Sequence, residues 1–164
     1  MKYSVNNVRR QDRLLTEDLA IALLETGEYG VISMQSEDGG GYGLPISFVW
    51  DKEQTIYLHC ALEGQKIKLI EKCNKVSFCV VGKTKVISNK FTTEYQSIVL
   101  DCLASIVIDD KEKTNALKLL ILKYSPNDIK IGEKYIEKSI NRTGIIKLTI
   151  NNWSGKCKAV NYTN

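Results

Sequence analysis

The chain has 164 residues, 43% hydrophobic and 26% charged, enough apolar material for one domain with its own core. That balance excludes a disordered tail, and the lack of any run of about eighteen apolar residues excludes a membrane-crossing helix. The net charge of +4, from 23 basic and 19 acidic residues, is spread along the chain; it helps attract phosphorylated ligands without demanding nucleic acid. The N-terminal MKYSVNNVRRQDR lacks the apolar stretch and cleavage site of a secretory leader, so the cytoplasm is the expected location. Arg9, Arg10 and Arg13 could form a basic arm. Asp12 interrupts them and no aromatic surface accompanies them, which favours a solvated or salt-bridged terminus against a partner subunit.

A helix is predicted over 16–26, with Thr16 as cap, Glu17 and Asp18 in the first turn and Gly27 as stop. Strands follow at 29–35 and, past a Gly-rich turn at 38–41, at 43–50. There Leu44, Ile46, Phe48 and Trp50 alternate with Pro45, Ser47 and Val49. After a turn at 51–54 comes the most informative segment, TIYLHCALEGQKIKLIEK at 55–72. A strand ending at the sole histidine, His59, turns a tight corner at 61–64 into an amphipathic helix. Ile67, Leu69, Ile70 and Cys73 share one arc of that helix, and Lys66 falls in its middle, in the first turn. A lysine so placed either meets an anion, held also by the free N–H groups and the positive dipole end, or snorkels out between apolar neighbours.

Residues 75–82 alternate Val76, Phe78 and Val80 against Ser77, Cys79 and Val81. A polar loop at 83–93 is expected before the longest strand, 94–108. Asp109 or Asp110 caps a helix to Tyr124, whose apolar run 116–122 packs on the sheet or serves a dimer contact. Ser125–Pro126 reads as the cap and first residue of a short helix to Ile140. The last strand, 144–150, leads into a polar turn at 151–155 that carries Trp153, placed to stack on a planar ligand. Trp50 is read as a rim or core aromatic. Cysteines 60, 73, 79, 102 and 157 have no CxxC spacing and read as buried free thiols, with no metal site. Six mostly sequential strands with helices between some of them predict a mainly β fold. This is a closed antiparallel barrel with helical decoration, in a single domain over 1–164. No G-x-G-x-x-G follows the first strand, which argues against a doubly wound fold.

Taken in order, VRRQDR (8–13), GLPISFVW (43–50), the 55–72 block, KVSFCV (75–80) and WSGKCK (153–158) resemble one family. It is the nitroimidazole-resistance (Nim-type) branch of the pyridoxamine 5'-phosphate oxidase-like flavoproteins. The resemblance implies a six-stranded antiparallel split β-barrel with peripheral helices that binds FMN at a homodimer interface. It implies an FMN-dependent oxidoreductase acting on small planar substrates, such as nitroaromatics or quinones, with NAD(P)H or a redox protein as donor. The alternative is the same barrel holding FMN, haem or F420 without efficient turnover.

By the same resemblance Pro45, Ile46, Ser47 and Phe48 lie along the flavin ring, and His59 and Cys60 sit beside the ring and ribityl chain. Gly64, Gln65 and Lys66 hold the phosphate, and Trp153 with Gly155 and Lys156 reaches the flavin of the other protomer. The chemistry suits these types. Gly64 lets backbone approach the phosphate, and Lys66 gives a dianion a point charge. His59 or Lys156 stabilises the reduced ring, and His59 can give a proton to substrate. Cys60 is assigned backbone contact only. Departures are informative. Pyridoxamine-phosphate oxidases carry a basic residue on the second strand, and its absence from 43–50 argues against vitamin B6 oxidation. Glu63 adjoins the phosphate site but can point away, and Trp153 stands where the branch often has a smaller residue.

Overall fold

Period-two alternation builds most of this molecule, and one aromatic residue lets the sheet close. The computed structural model describes residues 1–5 and 8–159. Its strands are β1 (Lys2–Tyr3), β2 (Tyr29–Gln35), β3 (Gly41–Ser47), β4 (Val49–Trp50), β5 (Thr55–Cys60), β6 (Lys75–Ile87), β7 (Thr92–Ile106) and β8 (Gly144–Lys158). Helices α1 (Glu17–Thr26), α2 (Gln65–Lys72), α3 (Asp110–Tyr124) and α4 (Ile129–Ser139) decorate them. Apart from β1, which lies parallel to β8, pairing is antiparallel in the order β3–β2–β6–β7–β8–β5–β4. The fold is therefore mainly β, a split barrel, with eight strands among the described residues where six were expected. No helix among these residues is long and apolar enough to cross a membrane.

The two ends of that order, β3 and β4, are separated in the chain by Phe48 alone. At Phe48 the backbone carries the sheet round onto itself, and the ring drops into the core with no exposure. It meets Phe78 edge-on at 5.1 Å between ring centroids. The break takes the Phe48 backbone out of the ladder, and the Tyr124 hydroxyl replaces the lost partners. It accepts from the Phe48 N–H at 2.9 Å and lies 2.8 Å from the Phe48 carbonyl and 2.6 Å from that of Glu28, with one proton to give.

Three expectations need correction. Residues 83–93 are not a loop throughout: β6 and β7 stay paired from Thr84–Tyr95 to Ile87–Thr92, past a register shift after Val81, and only 88–91 form the connecting turn. Thr84, Val86, Ile87, Thr92 and Thr93 are β-branched, and that preference outweighs the lysines between them. Residues 151–155 are not a turn either. β8 continues to Lys158, and Asn151 is an extra residue in its ladder, because Cys102 pairs with Ile150 and Asp101 with Asn152. An Asn pair that reads as a turn is here a bulge. Gly155 serves contact rather than turning, since a Cβ there would come within 2.9 Å of Leu15 Cβ. The fourth helix begins at Ile129 after Asp128, so Ser125–Pro126 belongs to the connection from α3. Of the two candidate caps for α3, Asp109 is the cap, its carboxylate accepting the Glu112 N–H at 2.7 Å.

Candidate functional site

β5 turns Ile56 and Leu58 into the core, both with no exposure, and so presents Tyr57 and His59 outward. Part of that outer face is covered by α3 and α4. The Tyr57 hydroxyl donates to Glu112 Oε1 at 2.9 Å, and the same oxygen takes the Lys147 ammonium at 2.8 Å. Burial, and then the carboxylate it donates to, push the Tyr57 hydroxyl far above its ordinary range. The Lys147 contact is the main cause that holds the Glu112 carboxyl below its own. The His59 side chain has no hydrogen-bond partner among the described residues, while its backbone lies in the ladder opposite Ile145. It lines a cavity of about 430 Å³ together with Ser47, whose far walls come from α3 and α4.

Just past His59 the chain leaves β5 and enters α2 through Gly64, whose φ of 133° and ψ of 175° suit a residue without a side chain. Nothing lies within 4 Å of where a Cβ would stand, so the approach to this corner is open. The Gly64 carbonyl accepts from Ile67 and Lys68 at 3.1 and 3.3 Å. The Gln65 and Lys66 N–H groups find no acceptor among the described residues, and no side chain caps the helix. Ile67, Leu69 and Ile70 are buried as their arc requires. Lys66 is half-buried, with no ion pair among the described residues. Its ammonium partly offsets the burial that raises the Cys60 thiol. One corner thus gathers Cys60, two free backbone donors and an unpaired cation, which suits a phosphate monoester.

The remaining expected residues separate. Pro45 is exposed on the sheet-edge strand β3, where a missing N–H is harmless, and Ile46 packs against the core. Phe48 cannot lay its ring on a ligand, because that ring is enclosed and its backbone is held by Tyr124. Trp153 is likewise no exposed stacking surface. Only 2% exposed, it meets Tyr3 edge-on at 4.9 Å, and its indole N–H has no partner among the described residues. Lys156 is exposed but sits opposite Ser97, near the far end of β8 from Ile145, the partner of His59. Within one chain neither Trp153 nor Lys156 joins His59. Arg10 pairs with Asp12 through two bonds of 2.7 and 2.5 Å, and the guanidinium holds that carboxyl at about 2.

Sequence reasoning missed the α3–α4 wall and Tyr124. A signal for it exists: Leu117, Ile121 and Tyr124 follow the spacing of one helix face, and all three line the cavity. It also missed Lys123, whose ammonium sits 3.7 Å from the centre of the Phe48 ring with no hydrogen-bond partner among the described residues. Burial lowers it to about 8. The unfolded chain holds this proton to higher pH than the folded one, so wild-type stability rises as pH climbs from about 8 toward the ordinary lysine value. Lys123→Met is expected to stabilise the protein at pH 7 by about 1 kcal/mol, solvent screening at this half-buried site reducing the full cost of the charge, and to abolish that rise. Urea unfolding at pH 7 and pH 10 checks both; equal stability of the two proteins at pH 7 refutes it.

A family model described as pyridoxamine 5'-phosphate oxidase matches residues 16–157. No curated protein matches the chain in sequence. Among solved structures the chain is similar to a candidate 5-nitroimidazole antibiotic resistance protein of Bacteroides thetaiotaomicron. The TM-score is 0.76 at 18% identity, over 88% of this chain and 86% of that one. It is similar to the flavocytochrome Anf3 of Azotobacter vinelandii, with a TM-score of 0.79 at 17% identity over 95% and 74%. A FAD- and haem-binding protein of Mycobacterium smegmatis gives 0.71 at 18% over 88% and 72%.

Proposed function

The chain belongs to the pyridoxamine 5'-phosphate oxidase family, and from that premise we propose that it is an FMN-dependent oxidoreductase acting on small planar acceptors such as nitroaromatics or quinones. The observation that carries this reading is the placement of Ser47 and His59 on one cavity, with the free cationic corner at Gly64–Lys66 on the same β5–α2 connection. When bound, FMN supplies the electron transfer. The chain's own groups do the rest. Lys66 and the Gln65 and Lys66 N–H groups hold the phosphate, with Cys60 beside them. Pro45, Ile46 and Ser47 give the ring an edge to lie against. His59 donates a proton to the acceptor as it is reduced. A homodimer would let Lys156 serve the site of the other protomer, and NAD(P)H or a redox protein would act as donor. With no basic residue in 43–50, B6 phosphates are poor substrates.

A second reading, the same site holding FMN, haem or F420 without efficient turnover, is favoured by one observation: no described residue orients the His59 ring, and imidazole catalysts usually have such a partner. The visible spectrum of purified or FMN-reconstituted protein tests the first reading. Anaerobic reoxidation of the reduced protein by metronidazole or menadione then separates enzyme from binder. Protein that stays colourless after reconstitution removes both. Lys66→Ala is expected to weaken FMN binding roughly tenfold to a hundredfold, about 1.5–3 kcal/mol for one charge-assisted contact. Fluorescence titration of FMN measures it, and unchanged affinity takes Lys66 out of the site.

A further inference from the structure

The cavity beside His59 is walled by Leu117, Leu120 and Ile121 of α3 and by Tyr135 and Ile136 of α4. Leu120 and Ile136 are buried, at 7% and 5% exposure, while Tyr124 and Tyr135 stand at the rim with 40% and 64%. Most polar groups on its lining are already engaged. The Ser139 hydroxyl donates to the Tyr135 carbonyl at 2.7 Å, and the Thr143 hydroxyl to that of Ser139 at 2.9 Å. Ser47 lies against the Tyr124 hydroxyl, which is itself held at Phe48. The nearby charges, Glu112 and Lys147, satisfy each other. What remains is the His59 imidazole on the strand side and the Ser125 and Tyr135 hydroxyls on the helix side, among aliphatic walls.

We propose that this cavity binds an uncharged, largely apolar ring compound that presents one hydrogen-bond acceptor to His59, and that the α3–α4 wall selects it. The proposal deepens the oxidoreductase reading and rests on it for the chemistry that follows binding. A space of about 430 Å³ falls in the range of small-molecule sites. A polyhydroxylated ligand would leave hydroxyls unpaired against leucine and isoleucine, and a charged one would lose water without finding a free counter-charge. A ring with a single carbonyl or nitro oxygen near His59 meets neither penalty.

Menadione is the probe, its binding read by equilibrium dialysis and FMN content read from the visible spectrum of the same samples. Leu117→Trp, half-buried on the wall, is expected to weaken menadione binding about tenfold or more, with FMN content and melting temperature unchanged. Leu122→Trp lies on another face of α3, against a different cavity, and should leave both bindings intact. Unchanged menadione affinity in Leu117→Trp overturns the proposal. So does wild-type protein that holds FMN but takes up no menadione. Wild-type protein that takes up menadione at this wall but no FMN supports the cavity and removes the flavin reading instead. Should Leu117→Trp fail to fold, Tyr135→Ala decides the matter at the exposed rim: a loss of about threefold supports the site, and no loss overturns it.

Discussion

Phe48→Ala is expected to destabilise the protein by about 3–5 kcal/mol, the usual range for removing a fully buried phenyl ring. The ring has no exposure. Phe78 meets its edge at 5.1 Å, and the Lys123 ammonium sits 3.7 Å above its face. The loss is also topological, because Phe48 alone joins the two outermost strands of the sheet order. Emptying that position leaves the closure resting on the backbone contacts of Tyr124. The unpartnered ammonium would face a void, so Lys123→Met should recover part of the loss in the double variant. At about 2–4 °C per kcal/mol for a chain of this size, the melting temperature should fall by roughly 6–20 °C. Thermal unfolding followed by circular dichroism measures this. A drop of a degree or two would show that Phe48 is not the closing element.

His59→Ala should leave FMN content near that of the wild type and slow reoxidation by metronidazole about a hundredfold, the lower end of what a positioned acid contributes. The prediction follows from separation along the chain. The phosphate corner lies past the end of β5, while the imidazole stands on the outer face of the strand at the cavity. Binding and proton delivery therefore depend on different groups. Stopped-flow measurement of flavin reoxidation reads that rate directly, and an unchanged rate in the variant removes His59 from proton delivery. Loss of flavin from the variant would instead make His59 a binding residue.

The sequence was legible where short-range rules decide. Thr16, Gly27 and the strand signals at 29–35 and 55–60 place α1, β2 and β5 to the residue, because each signal lies within or directly beside the element it marks. It misled where a partner strand decides. Asn151–Asn152 reads as a turn until β7 is laid beside it, and the lysines at 83 and 85 read as a loop until their β-branched neighbours pair across. Trp153 was misread for the same reason: its polar neighbours face outward from a strand whose indole goes in. For the candidate site, His59, Ser47 and the Gly64–Lys66 corner are visible in the chain as chemistry-bearing residues in one stretch of meander. The wall formed by Leu117, Ile121 and Tyr135 is not, since periodicity tells which face of a helix is apolar but not which side of which sheet it covers.

The position of β8 between β7 and β5 bears on how the molecule is made. Translation delivers β5 long before β8, yet the described ladder gives β5 no route to β7 except through β8. Until β8 has been made, the β3–β2–β6–β7 sheet and the β4–β5 pair share no ladder and are linked only through Phe48. Each then presents an open edge of unsatisfied amides, and the nascent chain is most exposed to wrong association at that stage.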